Sequence, residues 1–281
     1  MTNTQNKKSF SVGFIGAGNM ARSIIGGLVA DKALDLTILA SDPSTDKLTE
    51  LKNTFAVETA ESNQVLIEQS DVVVLAVKPQ SMHKVLTEVD ASQSNAMFLS
   101  IAAGVTIKTI AKCLQTPKAI VRTMPNTPAL VQCGATGLYA NEHVSAQQKD
   151  YADTIMHAIG IALWVESEDL LDSVTALSGS GPAYYFLVME AMQQAAEKLG
   201  LSSDIARQLT IQTALGSARL AADSDEAPAQ LRQRVTSPGG TTEQAINTFQ
   251  DLGLVEIFAK AMQAAYDRSQ SLAVELEQES T

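Results

Sequence analysis

Gly16-x-Gly18-x-x-Ala21 places three small residues where an apolar run, Phe10 to Ile15, gives way to a helical pattern through Met20, Ile24, Ile25, Leu28 and Val29. Each small residue has a physical task. Gly16 allows the tight turn out of a strand, Gly18 lets a pyrophosphate approach the backbone, and Ala21 keeps the helix close to the sheet. The N–H groups and positive dipole end of that helix then face an anion. The chemistry this serves is hydride transfer from a nicotinamide dinucleotide, NADPH or NADH. A second apolar run, Leu36 to Ala40, ends at Ser41-Asp42-Pro43. An acid near this place binds the ribose 2′-hydroxyl of NAD in many such proteins. Asp42 is equally suited to a turn before Pro43. Ser41, Ser44, Thr45 and Lys47 share the loop and suit a 2′-phosphate, so NADPH and NADH both stay open. Ala76-Val77-Lys78-Pro79 follows the strongest strand pattern and should border the cofactor, because ligands in such sheets bind beyond the carboxyl ends of strands.

Four further segments combine glycine, proline and hydroxyl residues: Ser100–Val105, Arg122–Pro128, Ser178–Pro182 and Thr236–Thr242. The last is the candidate substrate loop. Gly239 and Gly240 permit unusual backbone angles. The loop runs into a helix whose first turn contains Thr242 and Glu243, and N–H groups at such a start suit a carboxylate. Ser237, Thr241 and Thr242 add hydroxyls, although Thr241 or Thr242 can also serve as a simple cap. Ser178–Pro182 reads as the capped start of a long helix, with Pro182 in its first turn. His83, His143 and His157 are widely spaced and read as surface or packing residues, and no metal site is expected. With no nucleophile elbow, P-loop or zinc motif, the chemistry must come from the cofactor.

Positioning these residues requires an α/β domain. Asp71 to Val77 is a continuous β-branched run, the mark of a strand covered on both faces. Shorter runs follow at Met97–Ile101, Ala119–Arg122, Thr136–Tyr139 and Ile161–Val165, with helical segments between most of them. This alternation predicts a doubly wound, mostly parallel sheet of Rossmann type. After Glu166 the texture becomes helical, with patterns over Pro182–Leu199, Ile205–Ala222, Thr242–Leu252 and Val255 to about Val274. The reading is a dinucleotide-binding domain over residues 1–166 and an all-α domain over 167–281. Residues after Val274 are mostly polar and are expected to fray.

Composition excludes other classes. Twenty basic residues against 31 acidic ones leave a net charge of −11, which disfavours nucleic-acid binding. Cys113 and Cys133 have no metal or redox spacing and read as reduced thiols. Residues 1–8 are polar and lack the apolar core of a signal peptide. No stretch reaches the ~20 apolar residues of a membrane span, so the cytoplasm is the expected location.

Six ordered motifs resemble the pyrroline-5-carboxylate reductase family: Gly16–Ala21, Ala76–Pro79, Ala102–Thr106, Met124–Pro128, Ser178–Tyr184 and Ser237–Thr242. The resemblance implies an N-terminal Rossmann domain, a C-terminal helical dimerisation domain, a homodimer often assembled into a decamer, and reduction of L-1-pyrroline-5-carboxylate to L-proline by NADPH or NADH. By matching position it implies that Gly16, Ala17, Gly18, Asn19, Met20, Asn63, Ala76, Val77, Lys78 and Pro79 hold the cofactor, and Ser41 joins them from its place in the loop after the second strand. Ser237, Gly239, Gly240, Thr241 and Thr242 form the substrate loop. Thr242 is the candidate catalytic residue, through a hydrogen bond to the ring nitrogen. Asp225 stands where some relatives carry glutamate and has no assigned role. A reductase of a related cyclic imine is the nearest alternative. A β-hydroxyacid dehydrogenase would need Lys and Asn where Tyr185 and Met189 stand. A non-catalytic dinucleotide sensor would have no use for Ser237 to Thr242.

Overall fold

A computed structural model of the chain describes residues 8–279. The polar opening segment expected to carry no leader lies, up to residue 7, outside the described residues. Two compact units are present. The first comprises the chain up to Ser180 and again from Ala265, and the second is Gly181–Ala264.

In the first unit, strands and helices alternate: β1 (Lys8–Ile15), α1 (Asn19–Ala30), β2 (Leu34–Ser41), α2 (Thr45–Phe55), β3 (Glu58–Thr59), α3 (Asn63–Glu68), β4 (Val72–Leu75), α4 (Met82–Thr87), β5 (Met97–Ser100), α5 (Ile107–Leu114), β6 (Ile120–Met124), β7 (Gly134–Ala140), α6 (Ala146–His157), β8 (Gly160–Trp164) and α7 (Leu170–Val174). The strands form one sheet in the order β3-β2-β1-β4-β5-β6-β7-β8. All neighbours run parallel except β6 and β7, which are antiparallel. The chain winds outward from β1 to β3 and then crosses back to β4, so the order reverses between β1 and β4. This is the expected doubly wound architecture. All four side chains of β4 are buried, as are all four of β5. Each apolar side chain among them, all but Ser100, contributes roughly 1.5–3 kcal/mol by leaving water, which explains apolar runs in place of alternation. Phe14, Ile24, Ile25 and Val74 pack in one core cluster. Leu66, Leu75, Phe98 and Ile110 pack in another.

The second unit contains α8 (Gly181–Lys198), α9 (Ser203–Ala222), α10 (Pro228–Arg234) and α11 (Thr241–Asp251). The last helix, α12 (Leu254–Glu279), begins in the second unit and ends in the first. The compact division at Ser180 differs from the boundary read from sequence near Glu166. The reason is that α7 belongs to the sheet's packing: the Gly137 backbone on β7 lies against Leu171 and Val174.

The expected fraying after Val274 is corrected. Helix α12 continues to Glu279, and Leu276 is buried in the core cluster that includes Ala102 and Val105. Leu272 and Leu276 pack on Gly104, whose φ of +76° suits glycine. Lys108 pairs with Glu277 at 2.6 Å, and buried Ser269 donates to Asp172 at 2.6 Å. A polar-looking tail is therefore held by two leucines one helical turn apart. Leu276→Ala is expected to destabilise the protein by about 2–3 kcal/mol, read as a lower urea midpoint with unchanged slope. An unchanged midpoint would show that the tail is not part of the core.

Candidate active site

The cofactor turn is built where the sheet order reverses. Gly16 leaves β1 with φ +104°, and a Cβ there would lie 2.5 Å from the carbonyl oxygen of Ala76. Only glycine fits where the ends of β1 and β4 approach. Its N–H donates to the Ser41 carbonyl at 2.7 Å. The Ala17 N–H donates to Asp42 Oδ2 at 2.9 Å. Gly18 is the N-cap of α1, extended at φ −78° and ψ 179°, with no side-chain cap. No atom lies within 4 Å of where its Cβ would project. Asn19 and Met20 form the first turn of α1. The uncapped helix start and the bare glycine backbone are what a pyrophosphate requires.

Beside this turn, Ser41 Oγ donates to Asn63 Oδ1 at 2.8 Å, joining the end of β2 to the start of α3. Ser62 caps α3 by accepting the Val65 N–H. Asp42 directly follows β2. Its side chain is 8 % exposed, and it accepts from the Ala17 and Ser44 N–H groups and pairs with Lys47 at 3.5 Å. Its carboxylate is thus a turn residue that braces the glycine loop. Ala76 and Val77 are half-buried, Lys78 is exposed, and Pro79 opens a single 3₁₀ turn, Pro79–Ser81. The cofactor candidates of the first unit, from Gly16 to Pro79, therefore gather along the carboxyl edge of β1, β2 and β4.

In the second unit, Gly239 has φ +71°, and Gly240 is the N-cap of α11. Since the cap is glycine, no side chain covers the first-turn N–H groups. Thr241 and Thr242 lie inside the first turn, so neither is the cap that the sequence left open. Ser237, Thr241 and Thr242 are exposed. The loop is closed by the Gly240 N–H donating to the Ser237 carbonyl at 3.0 Å and the Gly239 N–H donating to Glu243 Oε2 at 2.8 Å. The arrangement offers hydroxyls and backbone donors to a small anion.

Two polar clusters were not anticipated from sequence. Arg122, in the middle of β6, is buried and pairs with Glu168 Oε1 at 3.0 Å. The same oxygen accepts the Ile107 N–H at the start of α5, at 2.8 Å. The signal was an arginine in an apolar strand run, which demands a buried counter-charge. The second cluster surrounds Ser178. Residues Thr175–Gly179 form a π-helical turn continuing from α7. The reading of Ser178–Pro182 as a capped helix start is therefore corrected: the chain is already helical when it enters α8.

The remaining candidates are quiet. His83, His143 and His157 are exposed. No group of His, Cys, Asp or Glu able to hold a metal occurs among the described residues. Cys113 is buried, and burial pushes its thiol pKa up, which keeps it protonated and unreactive. Cys133 is exposed and unpaired with Cys113.

A doubly wound sheet with a glycine turn at its point of reversal, followed by an all-helical region, defines a two-part dinucleotide-dependent oxidoreductase. The family model "Pyrroline-5-carboxylate reductase dimerisation" matches residues 168–272, and "NADP oxidoreductase coenzyme F420-dependent" matches residues 11–104. The pyrroline-5-carboxylate reductase of Pseudomonas aeruginosa is 49 % identical over 268 residues, covering 95 % of this chain and 98 % of that protein. That of Vibrio alginolyticus is 42 % identical, covering 93 % and 97 %. The solved pyrroline-5-carboxylate reductase of Coxiella burnetii superposes with a TM-score of 0.90 at 47 % identity, covering 94 % of this chain and 99 % of that one. The Plasmodium falciparum pyrroline carboxylate reductase with NADP bound gives 0.81 at 30 % identity, covering 94 % and 98 %. The chain belongs to the pyrroline-5-carboxylate reductase family.

Proposed function

We propose that this chain reduces L-1-pyrroline-5-carboxylate to L-proline, using NADPH or NADH, as the last step of proline synthesis. The observation that carries the reading is the glycine-capped start of α11 in the Ser237–Thr242 loop. A ring bearing one carboxylate matches its exposed backbone donors and hydroxyls. Bound NAD(P)H supplies the hydride. Gly16 to Met20, Ser41, Asn63 and Ala76 to Pro79 hold and orient the dinucleotide. Ser237 and the first-turn N–H groups that follow Gly240 hold the substrate carboxylate, with Gly239 and Gly240 shaping the loop and Thr241 beside them. The Thr242 hydroxyl bonds the ring nitrogen and so presents the imine carbon. Positioning of this kind contributes up to ~7–11 kcal/mol of a barrier. A substrate bound as an iminium, or taking its proton from water, needs no further acid from the protein.

Residues 1–166 then serve as the dinucleotide-binding domain and 167–281 as the substrate-binding and dimerisation domain. The second unit supports self-association into a homodimer. Its helices leave Tyr185, Phe186, Leu187, Leu209, Phe249 and Ile257 exposed, more apolar surface than a monomer keeps in water. Ala191 and Ala195 are also exposed, which fits close helix packing between subunits better than an internal core. A decamer is the larger assembly that the family resemblance implies, and light scattering distinguishes it from a dimer. The proposed location is the cytoplasm, and no helix among the described residues is long and apolar enough to cross a membrane.

Oxidation of NADPH and NADH at 340 nm, each with pyrroline-5-carboxylate, tests the reading. Asp42 is held by the Ala17 and Ser44 N–H groups, and Ser41, Ser44, Thr45 and, on release from Asp42, Lys47 are the candidates for a 2′-phosphate. The expected result is a kcat/KM for NADPH about 10-fold above that for NADH. A preference for NADH would show that Asp42 releases the turn to bind ribose. No oxidation by folded protein that binds either dinucleotide would sink the assigned substrate and favour a related cyclic imine or a sensor.

A further inference from the structure

The Met124-Pro125-Asn126-Thr127-Pro128 loop and the Ser178–Gly179 turn meet through one side chain that no part of the proposed mechanism uses. Asn126 is nine-tenths buried. Its Nδ2 donates to the Ser178 carbonyl at 3.0 Å, and its Oδ1 accepts the Ala135 N–H at 2.9 Å. Each bond replaces something the backbone lacks. Four residues beyond Ser178 stands Pro182, which has no N–H to give in the α-helical pattern. The β6–β7 ladder ends with Met124 opposite Gly137. Run on by two residues, that register places Asn126 opposite Ala135, where the side chain takes over from the strand. The fit is close beside it: a Cβ on Gly179 would lie 2.5 Å from Met124 Cε. Thr175–Gly179 is π-helical, with the Ser180 N–H donating to the Thr175 carbonyl at 2.8 Å. Single π turns are rare and are found frequently at functional sites.

The seam has a definite place on the sheet. The pyrophosphate turn lies between β1 and β4, and Ser41 and Asn63 lie on the β2 side of it. A dinucleotide lying across the point of reversal must therefore carry its nicotinamide half toward the carboxyl ends of β4, β5 and β6. The Asn126 loop is the segment that leaves β6 at that edge.

We infer that Asn126 is a positioning residue for hydride transfer: one amide clamps the loop after β6 to the Ser178 π turn and to β7, and so sets the wall against which the nicotinamide rests. The inference rests on the reductase reading above. A displacement of about 1 Å at a reacting centre costs on the order of 100-fold in rate, and a loosened wall should cost somewhat less.

Asn126→Ala and Asn126→Asp are the test, because the second keeps an acceptor for Ala135 while replacing the donor to Ser178 with a carboxylate oxygen. For each, kcat, the Kd for NADPH by fluorescence, the thermal midpoint, and the isotope effect on kcat/KM with NADPH deuterated at the transferred position are measured. The expected result is kcat lowered about 30-fold, a Kd within about 2-fold of the parent, and a larger isotope effect in the folded variants. The isotope effect does not depend on the folded fraction, so a purely structural role leaves it unchanged. A folded variant with parental kcat and isotope effect overturns the assignment. So does a loss of activity that follows the unfolded fraction with no change in isotope effect, or failure of both variants to fold. Any of these leaves the reductase reading standing. Absence of pyrroline-5-carboxylate turnover in the parent overturns that reading instead, and this assignment with it.

Discussion

Gly16→Ala is expected to raise the Kd for NADPH at least 100-fold, roughly 2.7 kcal/mol of binding free energy. The glycine sits at φ +104°, a region that other residues enter only with strain. The added carbon would lie 2.5 Å from the Ala76 carbonyl oxygen and 3.2 Å from Val77 Cγ1. The first of these is backbone, so β1 and β4 must separate at the point that receives the pyrophosphate. The Gly16 N–H bond to Ser41 and the Ala17 N–H bond to Asp42 shift with it. A fall in stability of about 2 kcal/mol should accompany the loss of binding. Gly18→Ala provides the contrast. Its φ of −78° suits any residue, and nothing lies near the added carbon. That variant should keep the parental thermal midpoint and still bind NADPH more weakly, because the methyl occupies the pyrophosphate's approach. Fluorescence titration and thermal melts of both proteins check the pair. Parental affinity in Gly16→Ala would place the dinucleotide elsewhere.

Thr242→Ala should lower kcat/KM for pyrroline-5-carboxylate about 100-fold while leaving the NADPH Kd unchanged. The magnitude is that of removing one donor aimed at a group whose charge changes in the transition state. Thr242 is exposed in the first turn of α11, and Gly240 holds the cap position. Stability should therefore change by no more than about 0.5 kcal/mol, as for surface substitutions that break no cap. Thr242→Ser should restore most of the rate, since it returns the hydroxyl without the methyl. Parental kinetics in Thr242→Ala would remove the residue from the mechanism and leave Ser237 and the loop backbone to hold the substrate.

Much of this was legible in the chain. Strands buried on both faces announce themselves as unbroken apolar runs, and β4 is the clearest case. The glycine turn was readable because residue type, flanking strand and following helix agree. Strand β3 was invisible, being two exposed residues, Glu58 and Thr59, with no apolar signal. Helix α10 was equally silent, because Pro228–Arg234 buries nothing in this chain. The end of α12 looked like a polar tail because its core contacts are two leucines among charges. The site divided in the same way. The start of α11 at the Ser237–Thr242 loop could be read from glycine and hydroxyl spacing alone. The Ala17 partner of Asp42 and the partners of Arg122 and Asn126 could not, since they are backbone groups or side chains brought close only by the fold. Asp42 turns inward because Ala17, 25 positions earlier, offers it an N–H at 2.9 Å. Asn126 meets Ser178 52 positions away. Local sequence carries no trace of such pairings.

The central claim is that hydride passes from a nicotinamide dinucleotide to the imine carbon of pyrroline-5-carboxylate. Incubating the purified protein with the substrate and NADPH deuterated at the transferred position tests it most directly, with the product read by mass spectrometry and NMR. The account predicts proline carrying one deuterium at the former imine carbon, formed in equal amount to the NADPH consumed. Consumption of NADPH without proline, or proline formed without the label, would contradict it.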